Sequence, residues 1–231
     1  MPLVDILVFG PHPDDAEFAM GASLLKFIRE GRTATLCVLT RGGSGTYGTP
    51  EVREEEMKEA CRKMGVNLEM LQFRDCQIFD NFENRLTLAE VIRKHRPRVI
   101  FAPYHTNHGF HLDGTAHPDH TATGTLVRSA ARYAKFKGIA ELKQKPWSAG
   151  HLIYYLLPRS LKPNLVVDVS DYMTEWEEVA GSHQSQMELR SGKVLKHLRD
   201  VRAMYGTLAG RQYAEGFFIE EPVVFNIDLF L

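Results

Sequence analysis

The chain opens on an apolar run, Val4-Asp5-Ile6-Leu7-Val8-Phe9, bounded by Gly10 and Pro11. A run this short between turn residues reads as a buried strand. Over residues 16–30, Phe18, Leu24, Leu25 and Ile28 fall on one side of a helix that Gly31 closes. The same alternation continues. Residues 33–40 read as a strand, 52–64 as a charged amphipathic helix stopped by Gly65, and 70–73 as a short strand. A helix over 86–95 ends at Arg96-Pro97, and 99–102 is another short strand. After a long polar segment a helix is expected from about 119 to 133, with strands at 151–157 and 165–169. Helices follow over 172–180 and 194–205, with a last edge strand at 223–225.

Strands alternating with helices of this length imply right-handed βαβ units. The fold class expected is therefore α/β, a Rossmann-like, mainly parallel sheet flanked by helices, with a C-terminal elaboration. No repeat, low-complexity tract or linker divides residues 1–231, so one domain is expected.

Composition narrows the partners. A formal net charge of −1 supplies no broad basic surface, which argues against nucleic acid. No window approaches the run of about 20 apolar residues that crosses a membrane, and no signal peptide is read at the N-terminus. Three widely spaced cysteines, Cys37, Cys61 and Cys76, lack a C-x-x-C pair and suit reduced thiols in the cytoplasm. Packing is the expected role of Cys37 and Cys61. The apolar stretch 223–231 is a candidate surface for a homo-oligomer.

The chemistry concentrates in two turns. Gly10-Pro-His-Pro-Asp-Asp-Ala-Glu17 follows the first strand, at the carboxyl edge where open α/β sheets bind ligands. Five of the ten histidines, His105, His108, His111, His117 and His120, fall within sixteen residues after the strand at 99–102. That segment leaves the sheet on the same edge and ends in His117-Pro-Asp-His120. Two H-P-D segments can thus meet across one crevice. Catalytic zinc takes three histidine or carboxylate ligands and keeps a fourth position for water. Two histidines and an aspartate meet that count, leaving a carboxylate to take a proton and an imidazole to give one. Composition does not decide which of Asp14 and Asp15 is ligand and which is base.

These motifs resemble the PIG-L/LmbE superfamily of zinc-dependent N-deacetylases. Arg53 with Glu56, Lys162-Pro-Asn-Leu-Val-Val-Asp-Val-Ser170, Ser185-Gln186 and Tyr213-Ala-Glu-Gly-Phe217 resemble its bacillithiol-biosynthesis branch, which removes acetate from N-acetylglucosaminyl malate. The resemblance implies His12, Asp15 and His120 as zinc ligands and Asp14 as general base. It implies His117, oriented by Asp119, as the electrophilic or general-acid imidazole, and Arg53 as a contact to the substrate's sugar or carboxylate groups. Equal ligand sets also serve ferrous iron. The implied substrate is a small amino sugar. Other N-acetylglucosaminides or chitin-type oligosaccharides are an alternative, and a non-catalytic sugar- or nucleotide-binding module is a rival of another class.

Departures gather on the substrate side. Residues 104–116 are longer than that branch's pattern and carry His105, His108 and His111, whose three-residue spacing suggests a second metal site but which, because Gly109 breaks any helix, are read as a polar lid or surface loop. Thr115 stands two residues before His117, where some relatives have a mobile tyrosine. The glycine-rich loop 42–48 lacks both nucleotide signatures and reads as flexible access to the pocket. Glu17 is expected behind the ligands, and His183 either in structural bonding or at the pocket wall.

Overall fold

A computed structural model describes residues 1–106 and 117–223. Val4–Gly10 (β1), Ala34–Thr40 (β2), Asn67–Phe73 (β3), Pro97–Pro103 (β4) and His151–Tyr155 (β5) alternate with Asp15–Arg29 (α1), Pro50–Met64 (α2), Phe82–His95 (α3) and Pro118–Ala134 (α4). The C-terminal part adds Leu165–Asp168 (β6), Met173–Ala180 (α5), Leu189–Gly192 (α6), Val194–Ala209 (α7) and Ala214–Ile219 (β7).

The strand order is β3-β2-β1-β4-β5-β7-β6. The first five strands pair in parallel, while β7 runs antiparallel to both β5 and β6. This is the expected mainly parallel sheet. The order of strands reverses between β1 and β4, so connections on either side leave on opposite faces and open a crevice there. Both H-P-D segments sit at that crevice.

Alternation along β1 feeds two cores. Ile6 and Val8 face α1, α2 and α5, packing with Leu24, Met57 and Trp176. Leu7 and Phe9 face α3 and α4, packing with Ile92, Ile100 and Leu126. All of β2 is buried, as a strand covered on both faces must be. Trp176 is fully buried, and its Nε1 donates to the Glu17 carbonyl at 2.9 Å. Cys37 and Cys61 are buried as expected.

β7 lies outside the sequence expectation. Its run Ala-Glu-Gly-Phe-Phe-Ile is interrupted by a charge and a glycine, which breaks the apolar pattern. The charge has a purpose inside. α1 is broken at Met20 (φ −141°, ψ 15°), which frees the N–H groups of its second half. Glu215 accepts from Ser23 N at 2.7 Å and Ala22 N at 3.3 Å. Arg202 of α7 pairs with the same carboxylate and stacks 3.7 Å from the Trp176 ring centroid. Residues 162–170 and 213–217 meet because β6 and β7 pair in register, Leu165 opposite Phe217 and Asp168 opposite Ala214.

The expected strand at 223–225 and the apolar end to 231 fall, from residue 224 on, outside the described residues. Among the described residues no helix is long and apolar enough to cross a membrane.

Candidate metal centre and active site

β1 ends at Gly10, where the Tyr155 hydroxyl donates to the Phe9 carbonyl at 2.7 Å and pins the strand. The turn 11–14 then carries His12 and Asp14 into α1. His12 N donates to Asp15 Oδ2 at 3.0 Å, and His12 Nδ1 lies 3.0 Å from the same oxygen. Asp14 occupies the N-cap position of α1 with φ +107°, yet its side chain makes no capping bond. An aspartate there would ordinarily satisfy its own helix. This one faces Arg53, whose Nη2 lies 3.2 Å from Asp14 Oδ2 and donates to the Pro13 carbonyl at 2.7 Å. Arg53 Nη1 donates to the Gly42 carbonyl at 2.9 Å. Backbone strain of this kind costs on the order of 1–3 kcal/mol and persists only where the surroundings over-determine it. The Arg53 clamp does so here.

The same clamp accounts for the glycine-rich loop. Gly42 has φ +66°, and a Cβ there would lie 2.2 Å from Arg53 Nη1. The loop is anchored on the guanidinium at Gly42, while residues 43–48 remain exposed. Glu56 supports it from α2, accepting from Ser185 N at 2.7 Å and from Ser185 Oγ at 2.6 Å. Gln186 Nε2 donates to the Tyr47 carbonyl at 2.9 Å.

The second turn arrives from α4. His117 is the N-cap of that helix. Gly124 lets α4 approach the end of β4, since a Cβ there would lie 2.3 Å from the Pro103 carbonyl oxygen. His120 Nε2 thereby comes to 2.9 Å from Asp15 Oδ1. Ring centroids of His12, His117 and His120 lie 4.9 to 5.9 Å apart. One ligand atom from each of His12, Asp15 and His120 falls within 4.8 Å of the others. Neighbouring nitrogen or oxygen donors of a tetrahedral zinc stand about 3.3 Å apart, so separations of 3.0 and 2.9 Å suit one ion.

The electrostatics agree. His12 Nε2 lies 3.1 Å from Asp75 Oδ1 and 3.3 Å from Asp119 Oδ2. Burial opposes charge on this ring, but Asp119, Asp15 and Asp75 together push it up to about 12. A field that draws a proton onto a buried imidazole is one that suits a dication. With Nδ1 toward the ligand set and Nε2 toward carboxylates, His12 has the outer partners that orient metal-binding histidines. Burial works to raise Asp15, but His120 and His12 outweigh it and hold its carboxyl well below the ordinary range. Asp14 moves the other way. Burial and the Asp15 charge push it up to about 7, with Arg53 opposing. Adjacent aspartates indistinguishable by composition are thus driven apart by their surroundings, the pattern that separates acid–base roles.

Two expected contacts differ, and His183 takes the structural of its two expected roles. The Asp119 carboxylate is 3.9 Å from His117 Nδ1, while the Asp119 backbone N–H donates to that nitrogen at 3.2 Å. The neutral ring therefore carries its proton on Nε2. Burial and the His12 charge pull His117 below its ordinary value. Asp119 Oδ2 instead accepts Cys76 N at 2.8 Å. Arg53, expected against substrate, is 5% exposed and committed to protein acceptors. His183 is fully buried, its Nε2 3.1 Å from Glu17 Oε1 beneath α1, so it bonds within the scaffold.

Sequence reasoning passed over Asp75 and Cys76, which follow β3. The available signal was topological, because the carboxyl end of β3 lies on the same edge as those of β1 and β4. His105 pairs with Glu220 at 2.8 Å and belongs to none of the candidate metal groups among the described residues. His108, His111 and Thr115 lie outside the described residues.

Residues 7–131 match the family model described as PIG-L, GlcNAc-PI de-N-acetylase. The chain belongs to this family. Among relatives it is 29% identical over 229 residues to the diacetylchitobiose deacetylase of Thermococcus kodakarensis, covering 91% of this chain and 81% of that one. It is 28% identical over 204 residues to a probable N-acetyl-alpha-D-glucosaminyl L-malate deacetylase 2 of Bacillus cereus, covering 79% and 84%. The conserved protein TT1542 of Thermus thermophilus superposes with a TM-score of 0.87 at 34% identity, covering 96% and 97%. PIG-L membership makes this a chain of a deacetylase family.

Proposed function

We propose that this PIG-L protein is a zinc-dependent hydrolase of the N-acetyl amide in an N-acetylglucosamine conjugate. The observation that carries the reading is the convergence of His12, Asp15 and His120 with Asp14 buried alongside. Held by those three ligands, zinc supplies a Lewis acid and lowers the pKa of a water to about 7. The set also accepts ferrous iron.

Asp14 is the general base. Its raised pKa lets it accept the attacking water's proton near neutrality, and Arg53 holds the carboxylate in one orientation. His117 is the acid. At rest Nδ1 accepts from the Asp119 N–H and Nε2 carries the proton; as an acid the ring first takes a second proton on Nδ1, toward the Asp119 carboxylate 3.9 Å away, and then gives the one on Nε2 to the departing amine. The lowered value of His117 makes its protonated form the stronger donor. Asp119 and Asp75 position His12 through Nε2. Arg53 acts on substrate through Asp14 rather than by direct contact.

The leading substrate is the malate conjugate of bacillithiol synthesis. A diacetylchitobiose-type substrate is the second reading, favoured by the fuller coverage of this chain by the Thermococcus relative. The amino sugar is a small cytoplasmic molecule, met by a protein that needs neither nucleic acid nor membrane.

Acetate release from N-acetylglucosaminyl malate, diacetylchitobiose and free N-acetylglucosamine, with and without chelator, tests both levels. Release that chelator stops and zinc or ferrous iron restores is expected, fastest on the true substrate class. No release from any of them by metal-replete protein overturns the enzyme reading in favour of a binding module.

A further inference from the structure

Cys76 differs from the two packing thiols. It is exposed at the carboxyl edge of the sheet, in the segment after β3. Its Sγ lies 3.7 Å from His117 Nε2 and 3.7 Å from Asp75 Oδ1. Ligand atoms of Asp75, Cys76 and Asp119 all lie within 4.8 Å of one another. In a tetrahedral zinc site a thiolate sulfur stands about 3.5 Å from a nitrogen or oxygen donor. Both sulfur separations meet that spacing. His117 Nδ1 is already engaged by the Asp119 N–H, so Nε2 is the ring nitrogen left to ligate, and it is the one facing the sulfur.

Resting on the deacetylase reading of His117, we propose that Cys76 and Asp75, with His117 Nε2 facing the sulfur, form a second, inhibitory site for a thiophilic divalent ion such as zinc, centred on the Asp75–Cys76–Asp119 group. It shares no ligand with the His12–Asp15–His120 set and differs from it in chemistry. Sulfur selects zinc or cadmium over magnesium or calcium. Asp119 stands within reach as a further oxygen donor. On binding, the Cys76 thiol gives its proton to solvent, the His117 proton leaves Nε2 for Nδ1 as that nitrogen gives up the Asp119 N–H, and Asp75 turns from His12 to the ion. His117 Nε2, once a ligand, has no proton for the departing amine. The first equivalent of zinc therefore supports turnover and the second suppresses it.

Cobalt reports the two sites separately, because a thiolate–cobalt bond gives a near-ultraviolet charge-transfer band that nitrogen and oxygen ligands do not. Purified full-length protein is titrated with cobalt for the band and with zinc for acetate release. Wild type is expected to show the band only with the second equivalent. Turnover should fall on the order of a hundredfold at matching zinc, the scale of a lost general acid. Cys76→Gly, which suits the φ of +62° at this position, is expected to keep one-equivalent activity and lose both band and inhibition. Cys76→Ser, nearer in size, should lose the band as well. Absence of the band in wild type, or equal zinc inhibition of Cys76→Gly, overturns the proposal. A band that forms in protein inactive at every zinc level leaves the site standing and removes the deacetylase reading instead.

Discussion

Arg53 Nη2 bridges the Pro13 carbonyl at 2.7 Å and the Asp14 carboxylate at 3.2 Å, so one guanidinium fixes both the backbone and the side chain of the proposed base. Arg53→Gln should lower kcat on the order of a hundredfold, the cost of misplacing a reacting group by about an ångström. KM and bound metal should stay near wild type. Lysine cannot span three acceptors, so Arg53→Lys should recover only part of the rate. A rise in KM with kcat intact would instead return Arg53 to direct substrate contact.

Asp14→Asn separates base from ligand. The variant should retain stoichiometric zinc while losing about 10²- to 10⁴-fold in turnover. Metal content by elemental analysis, measured beside acetate release, checks both halves. Near wild-type turnover would remove Asp14 from the base role.

Asp75 is predicted to matter through His12, which it meets at 3.1 Å. Outer-shell partners of this kind are worth about 10- to 100-fold in metal affinity or activity. Asp75→Asn should therefore weaken zinc in competition with a chromogenic chelator. Unchanged affinity would assign the orientation of His12 to Asp119 alone.

His183 gives a pH signature in stability. Burial opposes its charge, but Glu17, with Asp14 and Glu56 behind it, raises its pKa above 6.5 in the folded protein. The unfolded chain releases that proton at lower pH than the folded one. The contribution is thus complete below the unfolded pKa and fades as pH rises through the folded value. His183→Gln should cost more melting temperature at about pH 6 than at about pH 9. A penalty independent of pH would mean that the ring is held neutral.

The alternation of β1 through α4 and the two H-P-D turns were legible because each rests on local pattern. Periodicity gives the elements, and proline beside histidine gives the turns. What was hidden depends on contacts across the fold. Arg53 has the same sequence appearance whether its guanidinium points at solvent or at Asp14. Asp75 carries no motif and reaches His12 only because β3 ends on the shared edge. β7 was obscured by Glu215, whose charge contradicts strand patterning until Arg202, Ala22 and Ser23 surround it.

Glu215 also separates the extent of the family-model match from the extent of folding. The span matching the family model stops at residue 131, and it holds every proposed metal ligand. Yet the break in α1 is closed by a carboxylate that lies 192 residues downstream of Ser23. Cut at the limit of the match, the first helix would bury donors with no acceptor and lose its Trp176 cover. The half that the family model matches is thus a dependent half, completed by a part of the chain in which none of the proposed metal ligands resides.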